Sequence, residues 1–259
     1  MPNDSRRVFL AGAAAFLANQ ILPGKARAES PDIAAAANFV QTLVRNIIED
    51  EDLSRKQGLS EQQKLGIYLP LFNGDFDVPF ICRFVMGSYW KQLSEDEKKQ
   101  FTDVFSTYTV LSISERFPEL VGKPFRIDKI WAKDNGLTVN STIETGSGRR
   151  GIPVVWYLAK TADSFKIYDL QFGDLHMVIY GRDNIRGIIE RNGGNARDVI
   201  PSLRQLIDGR LAGNDDVHAL DNRPVQTTSA RPTPVRAFVN RLFQSRAVAL
   251  NGVSPLTPA

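Results

Sequence analysis

Two runs of strict alternation stand at the centre of the chain. Ile152, Val154, Trp156 and Leu158 occupy every second position of Ile152–Lys160, and a second alternating run, Phe165–Phe172, follows the polar residues Thr161–Ser164. A period of two on either side of a four-residue polar turn predicts an antiparallel hairpin with those four apolar side chains on one face. Phe125–Lys133 and Leu137–Thr145 repeat the pattern, with Asn135-Gly136 and Gly146-Ser147-Gly148 as turns. Four strands are therefore expected, joined in one antiparallel sheet.

On both sides of the sheet the period becomes helical. Ile33, Ala36, Val40, Leu43, Val44 and Ile47 recur at three- and four-residue steps and predict a helix over 32–50, which the acidic run Glu49–Asp52 ends in solvent. Ser60 with Gln63 has the form of a capping box for a second helix, one that Pro70 is expected to disrupt near its end. Asp77 caps a third, with Pro79 in its first turn and Phe80, Phe84 and Val85 on one face. Ser94-Glu95-Asp96-Glu97 opens a long fourth helix that carries Phe101, Val104, Phe105, Tyr108 and Leu111. After the sheet, Arg182–Arg191 and Asn195–Leu206 predict two more helices, divided by Gly193-Gly194. The fold class is α+β, in a domain spanning 29–212.

The ends differ from this body. Ser5-Arg6-Arg7-Val8-Phe9-Leu10, a mild apolar segment to Leu22 and Ala26-Arg27-Ala28 form a twin-arginine-type export signal over 1–28, with cleavage after Ala28. An ordinary secretory signal with accidental paired arginines is the other reading, and both place the mature protein outside the cytoplasm. The apolar segment is too short for a permanent anchor across a bilayer of roughly 30 Å. Residues 213–233 are rich in Asn, Asp, Thr, Ser and Pro and read as a disordered linker. The tail 234–259 holds an apolar stretch, Val235–Leu250, whose helical stripe is interrupted by Arg246. Residues 222–259 contain five arginines and no acid. Contact with an anionic membrane or a partner, and a disordered end, both fit this composition.

Charge and chemistry narrow the classes. The formal net charge of +3 comes from the signal, where Arg6, Arg7, Lys25 and Arg27 outnumber Asp4; removing 28 of 259 residues leaves 231 with a charge of about zero. No basic face remains for nucleic acid. Cys82 is the single cysteine, so no intramolecular disulfide supports the domain. Set among Phe80, Ile81 and Phe84, it reads as a small buried apolar residue. Acyl-transfer chemistry would need a histidine beside a nucleophile, and the chain has His176, near Asp169 and Asp174, and His218, beside the linker. No nucleophile elbow, metal-ligand spacing or phosphate loop accompanies them; Gly146–Gly151 reads as a hairpin turn. An enzyme is not indicated and no cofactor is expected. The unusual feature is aromatic richness, 15 Phe and 3 Trp, which fits a filled core or a cavity for an apolar ligand.

A resemblance separates these alternatives. Phe76-Asp77, Arg83-Phe84-Val85-Met86-Gly87-Ser88-Tyr89-Trp90, Phe101 and Phe105, then Val154–Leu158, Phe165–Leu170 and Arg182 resemble, in this order over about 33–208, the MlaC-type (toluene-tolerance) family of periplasmic lipid carriers. Thr107-Tyr108-Thr109 and Ser114-Glu115-Arg116-Phe117 lean toward its hopanoid-biosynthesis-associated branch. The resemblance implies a four-stranded antiparallel sheet packed against several helices, an NTF2-like cone around an apolar cavity. The cavity would take the acyl chains of a phospholipid or a hopanoid-like lipid. The implied partners are an inner-membrane ABC transporter complex and an outer-membrane lipoprotein complex. Two departures bear on ligand and partner: Phe165 stands at a usual Trp, and Gly173-Asp174-Leu175-His176 replaces a Gly-Val-Ser turn.

The physical case for a carrier is independent. Moving a lipid tail of some fifteen methylenes through water costs on the order of 12 kcal/mol at ~0.8 kcal/mol per CH2, which a dry protein cavity removes without covalent chemistry. The expected cavity lining is Phe80, Phe84, Phe105, Tyr108, Val154, Trp156, Leu158, Tyr168 and Leu170. The other readings are an exported small-molecule enzyme, with His176 and Asp169 turned into a pocket, and an interaction protein on the same fold that carries no lipid.

Overall fold

Both capping boxes form. Ser60 Oγ accepts from the Gln63 amide at 3.3 Å while Gln63 reaches back to the Ser60 amide at 2.9 Å, and Ser94 and Glu97 do the same at 3.2 and 2.7 Å. The computed structural model describes residues 31–133, 136–144 and 151–213. The expected export signal, the linker beyond Gly213, the basic tail, His218 and the turn residues Asn135 and Gly146–Gly148 lie outside the described residues.

The described residues form six α-helices and one five-stranded sheet. The first helix, α1 (Pro31–Gln57), runs straight through the acidic segment expected to end it. Glu51 is completely buried: its Oε2 accepts from the Tyr68 hydroxyl at 2.8 Å and its Oε1 lies 3.4 Å from Lys64 Nζ. A buried carboxylate with two partners is a tether, not a solvated stop. Those partners sit on α2 (Glu61–Asp75), which also outlasts its expectation by continuing past Pro70. The missing amide would have bonded the Gly66 carbonyl; both residues are exposed, so the freed carbonyl faces water.

Helix α3 (Val78–Met86) starts on Asp77, whose side chain accepts from the Phe80 amide at 3.2 Å. Helix α4 (Glu95–Ser114) packs against α2, α3 and α6. Both helices after the sheet depart from their expected bounds: α5 covers Met177–Arg191, starting before Arg182, and α6 covers Val199–Leu211, starting after a 3-10 turn at Ala196–Asp198 and running past Leu206.

The sheet is a meander in chain order: β1 (Phe125–Lys133), β2 (Gly136–Ile143), β3 (Ile152–Lys160), β4 (Phe165–Phe172) and β5 (Leu175–His176). The four expected strands are present and all neighbours are antiparallel. The short β5 is a correction to the four-stranded expectation: it folds back over a turn at Gly173 (φ 59°) and pairs His176 with Gln171 and Leu175 with Phe172. At Gly136 a Cβ would fall 2.1 Å from the Leu158 carbonyl oxygen, so β2 reaches β3 only because no side chain stands there. Helix α1 covers β1 and β2, while α5 bridges β4 and α3.

Candidate functional site

The register of the central strands places one row of side chains on the helix-covered face. Leu137, Val139 and Ser141 of β2 lie opposite Leu158, Trp156 and Val154 of β3, and Leu170 of β4 lies opposite Trp156. Val154, Trp156 and Leu158 are buried and Leu170 is partly so. Further out, Phe172, opposite Val154, is 36% exposed, so this apolar row passes from sealed to open along β4. The single polar side chain in its centre is accounted for. Trp156 Nε1 donates to Ser141 Oγ at 2.9 Å, and the Ser141 hydroxyl donates to the Val154 carbonyl at 3.0 Å. Phe125 meets the Trp156 indole edge-on, ring centroids 6.5 Å apart.

A bulge then divides the predicted lining. Between Tyr157 and Leu158 the pairing to β4 slips by one residue and leaves Tyr168 without an opposite number. Tyr168 consequently contacts Tyr157 (6.0 Å between centroids) and Phe80 (5.8 Å), and Phe80 stacks on Phe84 at 6.2 Å. Phe84 carries the Arg182 guanidinium over its ring at 5.6 Å. Phe80, Phe84 and Tyr168 thus form one aromatic group, and Val154, Trp156, Leu158 and Leu170 form a row on the sheet. Phe105 stacks on Phe101 at 5.5 Å and closes against Gly181 of α5, where an added Cβ would lie 3.7 Å from its ring. Tyr108 sits under the Arg210 guanidinium at 5.6 Å, where α4 meets α6.

The histidine of the alternative enzyme reading lies at the end of the same hairpin. His176 Nδ1 is 2.7 Å from Asp169 Oδ2, and Asp169 Oδ1 accepts from the amides of Leu170 (2.8 Å) and Val178 (3.2 Å). Burial pushes the Asp169 carboxyl above its ordinary range, partly offset by His176 and those amides. The carboxylate is therefore a cap for the first turn of α5, supplied from a strand. Tyr157 packs beside His176 at 5.8 Å and donates its hydroxyl to Gln171 at 3.2 Å; burial and then Asp169 raise its pKa. Among the described residues no hydroxyl or thiol is hydrogen-bonded to His176. The pair holds the hairpin to the helix; a hydrolytic dyad would need a nucleophile on the other ring nitrogen.

Cys82 is fully buried, and burial pushes its thiol up to about 12, the reverse of an activated nucleophile. Among the described residues no cluster of His, Cys, Asp and Glu could hold a metal ion, and no helix is long and apolar enough to cross a membrane.

Two findings place the chain among known proteins. The family described as MlaC protein matches residues 40–205. A solved structure from Ralstonia solanacearum, a phospholipid-binding protein in complex with a phospholipid, superposes with a TM-score of 0.58 at 17% identity. The superposition covers 70% of this chain and 98% of that one. At that identity the likeness is one of fold, and it is the mixed fold of helices on an antiparallel sheet described above. No curated protein matches the chain.

Proposed function

The chain belongs to the MlaC family, and from that premise we propose that it is a periplasmic carrier that holds a phospholipid by its acyl chains. The observation that carries this reading is the apolar row on the sheet. It runs from sealed at Leu158 to open at Phe172, with the Trp156 indole fixed across its middle. Such a gradient suits a ligand whose tails are buried and whose head group stays in water. The phospholipid named in the Ralstonia solanacearum structure supports the same ligand class.

The proposed lining is Val154, Trp156, Leu158, Tyr168 and Leu170 on the sheet, with Phe80, Phe84, Phe105 and Tyr108 contributed from the helices. The export signal over 1–28 supports a periplasmic location. The family supports a role as the soluble component of an ABC-type transport system, taking lipid between an inner-membrane transporter complex and an outer-membrane lipoprotein complex. The motifs at Thr107–Thr109 and Ser114–Phe117 support the hopanoid-associated branch, and with it a hopanoid-like lipid as cargo. No reaction is assigned to His176 and Asp169, whose geometry supports a capping role.

Native mass spectrometry of the exported protein tests this. A stoichiometric lipid adduct is expected, with extraction separating phospholipid from hopanoid. Leu170→Arg, at a partly open position, should keep the fold and lose the adduct. An adduct-free wild type that also takes up no lipid from phospholipid vesicles would overturn the carrier.

A further inference from the structure

A concavity of about 400 Å³ that none of the Trp156 row lines lies between α1, the end of α2 and the β3–β4 turn. Its floor is aromatic: Phe39 and Phe165 meet with ring centroids 5.9 Å apart. Its walls are polar. Asn38, Thr42 and Asn46 stand at four-residue steps along one side of α1, and Asp75 and Asp163 face them from α2 and the turn.

The charge left in this cleft is negative. Lys160 is engaged by Asp32 at 2.7 Å, and Lys166 donates to the Gly74 carbonyl. Asp163 has no ion-pair partner among the described residues, and Asp75 feels Lys166 only through its field. Burial nevertheless raises the Asp75 carboxyl, so a cation entering the cleft would relieve a cost the fold carries without it. Aromatic rings below, side-chain amides on one side and carboxylates on the other are the complement of a guanidinium. Its plane stacks on rings and its edge donates to oxygen acceptors.

We propose that this cleft is an arginine-binding site and that its occupant is the chain's own C-terminal segment, residues 222–259. That segment offers five arginines and no acid. Reach is not limiting. The eighteen Cα-to-Cα steps from Gly213 to Arg231 can extend about 60 Å, against a radius of gyration of about 16 Å for a domain of this size. Tethering raises the local concentration of the arginines to the order of millimolar, so modest contacts suffice for occupancy. The basic tail is thereby a strap on its own domain, and the inference stands apart from the lipid reading.

The test uses the full-length chain with Ala247→Cys carrying a nitroxide, since Cys82 is buried and unreactive. In a 15N-labelled sample the amide signals of Asn38, Thr42, Asn46 and Asp163 should lose intensity severalfold relative to signals from α6. The loss should vanish in Asp75→Asn/Asp163→Asn and when Arg223, Arg231, Arg236, Arg241 and Arg246 are all changed to Gln. The dispersion of the remaining signals confirms that each variant is folded. Unchanged cleft intensities in the labelled wild type would overturn the proposal. So would equal broadening in a mixture of labelled-tail 14N protein with unlabelled-tail 15N protein, which would assign the cleft to a second copy. Broadening that survives both sets of substitutions would overturn it as well, by removing the charge contacts.

Discussion

Trp156 and Ser141 meet across β3 and β2, the indole Nε1–H donating to the serine hydroxyl at 2.9 Å in a row of otherwise apolar side chains. The bond fixes which edge of the indole faces β2 and so holds its flat apolar body in place. Ser141→Ala leaves a buried N–H without its acceptor and should cost about 1–3 kcal/mol. Urea unfolding measures the loss. If Trp156 is part of the lipid wall, the variant should also hold lipid more weakly than its stability alone accounts for.

Glu51 makes a second prediction. Its carboxylate is fully buried and hydrogen-bonded to the Tyr68 hydroxyl, tying α1 to α2 well beyond the point where a solvated acidic run would let the helix fray. Burial and that carboxylate raise the Tyr68 pKa. Tyr68→Phe keeps the ring against Phe117 but removes a bond to a charged group, and should destabilise by about 1.5–3 kcal/mol in chemical denaturation. A change near zero would mean that Lys64 alone neutralises Glu51.

Asp169 gives a pH signature. Its carboxyl is raised above the ordinary 3.8 by burial, against the opposing pull of His176 and two amides. A folded-state pKa above the unfolded one means that the contribution is fully present below pH 3.8 and is lost as pH rises through the folded value. The stability of the wild type minus that of Asp169→Asn should therefore fall as pH rises from 3.8 upward, measured by thermal unfolding in matched buffers. A difference that grows with pH over this range would reverse the assignment.

The periodic parts of this fold were legible in the sequence because their causes are local. The every-second-residue pattern of Ile152–Lys160 placed Val154, Trp156 and Leu158 on one face, and the Ser60–Gln63 and Ser94–Glu97 pairs marked two helix starts, since a cap and its partner lie three residues apart. Three departures depend on partners outside the helix concerned. Helix α1 continues because Tyr68 and Lys64 receive Glu51. Helix α5 begins five residues before Arg182 because a β4 carboxylate caps the Val178 amide. Helix α6 outlasts Leu206 with Arg210 bonded to Glu115, just past the end of α4, and lying over Tyr108. The candidate site divides in the same way. Alternation located the sheet row, but the bulge that turns Tyr168 toward Phe80 depends on pairing between two strands and has no signature in either strand alone.

The most direct test of the carrier is to let the bound lipid mark its own site. Full-length protein loaded from vesicles with a phospholipid bearing a photoreactive acyl chain, irradiated and digested, should yield adducts on the β3 and β4 peptides that hold Val154, Trp156, Leu158 and Leu170. Adducts confined to other surfaces, or none at all with the protein folded, would contradict the assignment of that face to lipid.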